Sequence, residues 1–214
     1  MNEQRLSKLK KISNQYCRRE GGAHGPDHSE RVYQMALRLG REMNADLEIL
    51  TAAALLHDIG RGEESSSKGT VCHATRGAEM AAAILQELGY QPQAVQRICH
   101  CIRSHRYRGT CSPETLEARI LFDADKLDSI GAIGIGRAFL FAGRIGACLH
   151  NPEMDPQATE SYSDQDTAYR EFQVKMSRVR NKLLTSAGSR IAEERHRFME
   201  VFFDQLNREI YGAA

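Results

Sequence analysis

The chain has 214 residues, of which 41% are hydrophobic, enough for a sizeable core in one large or two small domains. Its 29 Lys and Arg against 28 Asp and Glu argue against a chain-wide basic surface for nucleic acid or membrane. No apolar run has the length of a membrane span, and the opening MNEQRLSKLKK lacks the apolar core of an export signal. We therefore expect a cytoplasmic protein whose six cysteines are free thiols.

The first part of the chain predicts two helices joined by a glycine-rich loop. A polar helix with few apolar positions covers residues 2–19, and the loop covers 21–26. Asp27 followed three residues later by Glu30 is typical of a capping box, so a second helix is expected to begin there. His28 would then lie at the start of that helix.

The next part predicts a buried central helix and an alanine-rich one. The central helix covers about 46–58 and should end at Gly60, since glycine commonly follows the last helical residue. A polar loop is expected over 61–71. The alanine-rich helix follows over 74–88 and is closed by Gly89.

The remaining elements are also predicted to be helical. Pro92 suits the first turn of a helix that ends near His105, and Ser112 is expected to begin the following one. A glycine-rich apolar stretch covers 131–146, where the glycines indicate close helix packing or a bend. Residues 149–165 are expected to form a long polar loop.

Two amphipathic helices complete the chain, aligned on residues 168–183 and 191–206, with Gly188 between them. No segment shows convincing strand alternation. The pattern predicts one all-α domain, with a core over about 20–146 and a C-terminal helix pair over about 166–210 packed on it.

The pair His57-Asp58 indicates a metal site. It ends the apolar run at residues 52–56, and burying an imidazole beside a carboxylate is costly unless a partner satisfies both. His28 and Asp125 are the further candidate ligands. This mixed nitrogen and oxygen set suits Mn²⁺, Fe²⁺, Co²⁺, Ni²⁺, Mg²⁺ or Zn²⁺, with coordination positions left for water and a phosphate oxygen.

In order, His28, His57-Asp58 and Asp125 resemble the H…HD…D pattern of the HD-domain metal-dependent phosphohydrolases. The flanking segments extend this resemblance over most of the chain; they are residues 54–60, the DADKLD segment 123–128, residues 131–134 and residues 193–200. The chain looks most like the small bacterial single-domain HD hydrolases, some of which act on nucleoside triphosphates. The resemblance implies a single HD-type helical bundle with a C-terminal helix pair.

Two more histidines match positions in HD proteins that bind two metals. His73 resembles the third histidine of those proteins and His105 the fourth. They could contact substrate phosphate or water, bind a second metal, or lie on the surface, and the sequence leaves these alternatives open. His24 is expected to be a loop residue near the site.

Several charged residues lie beside these motifs. Arg61 and Lys126 directly follow candidate ligands and are expected to bind phosphate oxygens. Asp128 shares a helix face with Asp125, so it would orient a ligand or water, or form a cap or an ion pair. The acidic pair Glu63-Glu64 stands one or two residues later than in HD-type guanosine pyrophosphate hydrolases, which argues against that substrate.

The resemblance implies hydrolysis of a nucleotide, with a (deoxy)nucleoside triphosphate cleaved to monophosphate and pyrophosphate. The expected cofactor is Mn²⁺, which would activate water for in-line attack on phosphorus. Other candidate functions are a phosphatase acting on nucleotides or other phosphomonoesters, a di-iron HD oxygenase, and a non-catalytic HD regulatory module. The expected partner is a phosphorylated small molecule, with a homodimer as a further candidate and no nucleic acid or membrane.

Overall fold

The computed structural model describes residues 3–17, 25–106 and 111–213. These residues form α-helices and one 3-10 helix (Met176–Lys182), with no strand among them, so the predicted all-α class is confirmed. The α-helices are α1 (Glu3–Cys17), α2 (Pro26–Glu42), α3 (Leu47–Leu56), α4 (Arg61–Ser66), α5 (His73–Glu87), α6 (Pro92–Ser104), α7 (Leu116–Leu127), α8 (Gly131–Arg144), α9 (Ala168–Val174) and α10 (Ser186–Ile210). None of the helices in these ranges combines the length and the apolar character needed to cross a bilayer.

The chain divides into two compact units, Met1–Asp125 and Lys126–Ala214, with the boundary inside α7. The single-domain organisation expected from the sequence therefore stays a prediction.

Helix α3 is the centre of the first unit. Every residue from Ile49 to Leu56 is buried, and α1, α2 and α6 all pack against it. Its first turn is capped by the Asp46 carboxylate, which accepts hydrogen bonds from the backbone N–H groups of Glu48 and Ile49. A helix that is apolar on all sides lies in a core. The residues that directly follow α3, His57 and Asp58, are therefore also in the interior.

The predicted start of α2 is wrong in detail. The N-cap is Gly25 and Pro26 occupies the first turn, whereas the Asp27 carboxylate accepts a hydrogen bond from Arg31 at 2.5 Å rather than capping the helix. Proline fits this position because its fixed φ suits a helix and its missing N–H would have no partner there. His28 still lies in the first turn, as expected.

Gly60 has a different role from the one predicted. Helix α3 ends at Leu56, and Gly60 has a φ of −84° and begins α4, where a loop was expected. A Cβ at Gly60 would lie 2.4 Å from the His73 carbonyl oxygen and 2.7 Å from the Gly77 backbone nitrogen. Glycine is needed here because the turn approaches the α5 backbone too closely for a side chain.

The other predicted helix ends are partly confirmed. Gly89, at a φ of +73°, follows α5, and Pro92 lies in the first turn of α6. Ser112 does not begin a helix, because α7 starts only at Leu116. His105 is the C-cap residue of α6.

In the second unit the long polar loop is confirmed, and a buried arginine stabilises it. Arg170 of α9 donates to the Asp166 carboxylate at 2.7 Å and to the carbonyls of Pro156 and Thr159 at 3.1 and 2.7 Å. Gly188 does not separate two helices as predicted. It lies in the first turn of α10, where its N–H donates to the N-cap side chain of Thr185.

The glycine-rich stretch forms a helix, α8, and its glycines differ in their surroundings. A Cβ at Gly134 would lie 2.4 Å from the Ser129 carbonyl oxygen, so close packing explains this glycine. Gly131 has a φ of +73°, a conformation that glycine adopts at little cost. Nothing lies within 4 Å of a Cβ built at Gly136.

Candidate metal centre

Helix ends converge on one buried cluster inside the first unit. The first turns of α2 and α5, the C-terminal ends of α3 and α6, and the last turn of α7 each contribute to it. The side chains are His28, His57, Asp58, His73, His105 and Asp125. His57 is fully buried and Asp58 is 3% exposed, so the central pair lies in the interior as predicted.

We define the first ligand set as His28, His57, Asp125 and the Oδ2 atom of Asp58. The His28 Nε2 atom lies 3.3 Å from His57 Nε2, 3.4 Å from Asp125 Oδ1 and 3.5 Å from Asp58 Oδ2. The His57 Nε2 atom also lies 3.5 Å from Asp58 Oδ2. All four predicted ligands are therefore brought together around one point.

We define the second ligand set as His73, His105 and the Oδ1 atom of Asp58. The Nε2 atoms of His73 and His105 lie 3.6 and 3.5 Å from Asp58 Oδ1 and 3.3 Å from one another. The two histidines whose role the sequence left open thus lie at the same carboxylate as the first set. A place on the surface is ruled out, because both are buried.

Hydrogen bonds determine which ring nitrogens carry protons. His57 Nδ1 donates to the Ala54 carbonyl at 2.7 Å and His105 Nδ1 donates to the Ile102 carbonyl at 2.6 Å, since a carbonyl oxygen only accepts. His73 Nδ1 lies 2.7 Å from a carboxylate oxygen of Glu64. In the neutral imidazole, each Nε2 then keeps a lone pair directed at Asp58.

Burial keeps His57 and His73 neutral. It lowers the pKa of His57 from 6.5 to about 4, against the opposing charge of Asp58. Burial, reinforced by the positive charge of Arg61, also lowers the pKa of His73. The Nε2 atoms of His73 and His105 lie 3.3 Å apart and 3.6 and 3.5 Å from Asp58 Oδ1, and a cation between these acceptors would offset their repulsion. The donor set fits a divalent metal, which neutral imidazole and carboxylate bind well.

Arg61 is joined directly to this cluster. Its Nε atom donates to Asp58 Oδ2 at 2.5 Å, and 20% of its side chain is exposed. Burial disfavours its charge, but Asp58, Asp125 and Glu64 together outweigh that effect and raise the pKa of the guanidinium. The predicted phosphate-binding residue is thus also a cation in direct contact with the shared carboxylate, at the edge of the buried site.

The two predicted residues that follow Asp125 belong to the second unit. Lys126 is half-buried in the last turn of α7, and its phosphate-binding role stays a prediction. Asp128 accepts a hydrogen bond from Arg137 at 2.7 Å, so the ion pair weighed from the sequence is present. Its orienting role toward the site also stays a prediction. His24 lies outside the described residues.

Sequence reasoning missed the importance of Glu64. Besides its contact with His73, its Oε1 atom accepts a hydrogen bond from Arg106 at 2.8 Å. The sequence drew attention to the acidic pair only for its displacement relative to other HD proteins. Because residues 61–71 were expected to form a loop, nothing placed Glu64 beside His73.

Known proteins are similar to this chain over the residues that form the cluster. The HD domain family model matches residues 26–130. The uncharacterized Bacillus subtilis protein YpgQ is 34% identical over 197 residues, which cover 90% of this chain and 87% of YpgQ.

Two solved structures are similar over almost the whole chain. Bacillus subtilis YpgQ in complex with ADP has a TM-score of 0.76 at 29% identity, with 98% of this chain and 100% of that chain covered. An HD-superfamily hydrolase from Bacillus thuringiensis has a TM-score of 0.77 at 26% identity, with 99% of each chain covered. The chain therefore belongs to the HD-domain family, and within that family it is a metal-dependent phosphohydrolase.

Proposed function

We propose that the protein hydrolyses (deoxy)nucleoside triphosphates to monophosphate and pyrophosphate in the presence of Mn²⁺. The observation that carries the proposal is the convergence of four imidazoles on Asp58, with the Asp125 carboxylate beside His28, in a chain similar to a protein solved in complex with ADP. The cluster supports a metal-dependent hydrolytic centre, and the similarity to YpgQ supports a nucleotide as the substrate.

The first ligand set would hold the metal, with His28 and His57 as nitrogen ligands and Asp58 and Asp125 as oxygen ligands. A divalent metal bound there supplies Lewis acidity and a water of lowered pKa. The protein positions the ligands in advance: His57 is anchored through Nδ1 to the Ala54 carbonyl, so its Nε2 cannot turn away without losing a buried hydrogen bond.

For the second ligand set we favour a second divalent cation over direct donation to phosphate. Donation would need a proton on Nε2, yet His73 and His105 direct their Nδ1 protons away from Asp58. Both Nε2 atoms are then acceptors, as is Asp58 Oδ1. Three acceptors suit a cation, whereas phosphate oxygens would add further repulsion.

Arg61 would bind the phosphate. It lies beside Asp58 and is partly exposed, so its remaining N–H donors can reach an incoming oxygen. Lys126 would hold a second phosphate oxygen, since it follows Asp125 directly. We also propose that the two compact units form the single HD domain expected from the sequence.

The test is release of pyrophosphate and phosphate from nucleoside triphosphates, diphosphates and monophosphates with Mn²⁺, Mg²⁺ or Co²⁺. Pyrophosphate release from triphosphates is expected, and it should be strongly reduced in His57→Gln. His100→Gln is the matched control, because His100 lies on α6 and accepts a hydrogen bond from the backbone N–H of Glu114, away from Asp58. Phosphate release alone would identify a phosphatase instead. Full metal occupancy with no turnover would identify a regulatory module.

One observation favours a second candidate function. A carboxylate with one oxygen toward each histidine set is also the arrangement expected for a di-iron HD oxygenase. The similarity to HD-superfamily hydrolases favours hydrolysis. The test is oxygen consumption by the iron-loaded protein with small organic substrates. Oxygen consumption without any nucleotide hydrolysis would identify an oxygenase instead of a hydrolase.

A further inference from the structure

His57, His105 and His73 are anchored through Nδ1 in two different ways. His57 and His105 donate to a carbonyl three residues earlier in their own helix, at 2.7 and 2.6 Å. His73 is the first residue of α5, so no preceding turn of that helix offers it a carbonyl. Its Nδ1 partner is instead the Glu64 side chain, which comes from α4.

Glu64 is itself held from two sides. One carboxylate oxygen lies 2.7 Å from His73 Nδ1, and the other lies 2.8 Å from the Arg106 guanidinium. The Glu64 side chain is 18% exposed, which leaves it largely shielded from competing water. Its place next to α5 depends on Gly60, where a side chain would collide with the His73 carbonyl.

This contact selects one tautomer of His73. A carboxylate paired with an arginine is ionised and can only accept, so Nδ1 must carry the proton. The Nε2 lone pair then faces Asp58 Oδ1 at 3.6 Å and His105 Nε2 at 3.3 Å.

The other tautomer would have the opposite effect on the site. With the proton on Nε2, His73 could donate to His105 Nε2 or to Asp58 Oδ1, both of which are within or near hydrogen-bond reach. The second ligand set would then be satisfied internally, and the hydrogen on Nε2 would occupy the position that a cation needs. The choice of tautomer therefore decides whether the set is open or closed to a metal.

We infer that Glu64 is a positioning residue that holds His73 in the Nδ1–H form and so keeps the second ligand set open to a divalent cation. Arg106 fixes the Glu64 carboxylate in turn. The inference deepens the proposed function, because it rests on a second cation at His73, His105 and Asp58.

The first experiment is nitrogen-15 NMR of the histidine rings in the metal-free full chain, comparing wild type with Glu64→Ala and Glu64→Gln. Wild-type His73 should carry its proton on Nδ1. In Glu64→Ala the Nε2–H form should become populated. In Glu64→Gln one of the two accepting oxygens becomes an NH2 group, which cannot accept from His73 or Arg106. Glu63→Ala is the matched control, because Glu63 is exposed and pairs with Arg76 at 2.6 Å.

The second experiment is calorimetric titration of the same proteins with Mn²⁺. Wild type should bind two ions, and both Glu64 variants should lose about 10- to 100-fold in affinity for the weaker ion only, the usual effect of removing a partner of a ligating histidine. Glu63→Ala should bind as wild type does.

Two results would overturn the inference: an unchanged His73 tautomer in both Glu64 variants, or a wild-type protein that binds a single Mn²⁺. Neither result depends on turnover. A protein that showed the tautomer change and the selective loss but hydrolysed no nucleotide would contradict the proposed function and leave the role of Glu64 standing.

Discussion

The two sides of Asp58 are built differently. On the first side, His57 is anchored to the backbone of its own helix, and His28 and Asp125 come from helices α2 and α7. On the second side, His73 is anchored by the Glu64 side chain, which depends on Arg106 and on the close approach of α4. Backbone anchors cannot be changed by substitution, whereas a side-chain anchor can. The first side should therefore tolerate variation around it better than the second.

The largest effect is expected for Asp58→Asn, because it changes the carboxylate that both sides share. Loss of a metal-binding charge should cost several kcal/mol of transition-state stabilisation, on the order of a thousandfold in rate. Calorimetry should show that Mn²⁺ binding is weakened on both sides. Asp204→Asn, at an exposed carboxylate of α10, is the control. An Asp58→Asn variant that still bound two ions would show that the sides are independent.

The next effect separates the sides. His57→Gln should strongly reduce hydrolysis, by less than Asp58→Asn does, and should weaken metal binding in the first ligand set. His105→Gln should reduce the Mn²⁺ stoichiometry from two to one and leave the tighter ion in place. Measuring the Mn²⁺ stoichiometry and the initial rate of hydrolysis for each variant shows which ligand set is needed for metal binding and which for turnover. Equal loss of both ions in both variants would contradict the division into two sets.

A smaller effect concerns the turn that connects the sides. In Gly60→Ala the new Cβ would meet the backbone of α5 at 2.4 Å, and forcing atoms into a packed region usually costs about 1–3 kcal/mol. The free energy of unfolding in urea should fall by this amount. Gly136→Ala is the matched control: nothing lies within 4 Å of its Cβ, so stability should rise by up to about 1 kcal/mol. Equal stability of the two variants would mean that α4 does not depend on this contact.

A further effect is expected in the pH dependence of the metal-free protein. Unfolded His57 takes up a proton near pH 6.5, but folded His57 does so only near pH 4. Between these values the unfolded state binds more protons, so stability should fall as pH drops from 6.5 toward 4. Urea unfolding in EDTA should show this fall, and His57→Gln should show a shallower one. Stability that rose on acidification in this window would contradict a neutral buried His57.

Local sequence was sufficient for the class of fold, and the four residues it proposed as ligands lie together in the structure. The apolar run before His57 forms the buried helix α3, and a continuous apolar run is a local feature that predicts a buried element well. Wrong predictions concern the helix starts at Asp27 and Ser112 and the loop expected over 61–71. A six-residue polar helix such as α4 has no apolar periodicity, so its stability comes from its neighbours.

The sequence predicted His28, His57, Asp58 and Asp125 as ligands because each lies at a recognisable helix end or on a recognisable helix face. The arrangement around Asp58 was not predicted, because it depends on where α4, α5 and α6 meet, and contacts between distant segments leave no mark on the local pattern. By itself the sequence determined the class of chemistry. Only the tertiary structure decided that Asp58 faces two sets of acceptors, and that one of them depends on the orientation of a single carboxylate, Glu64.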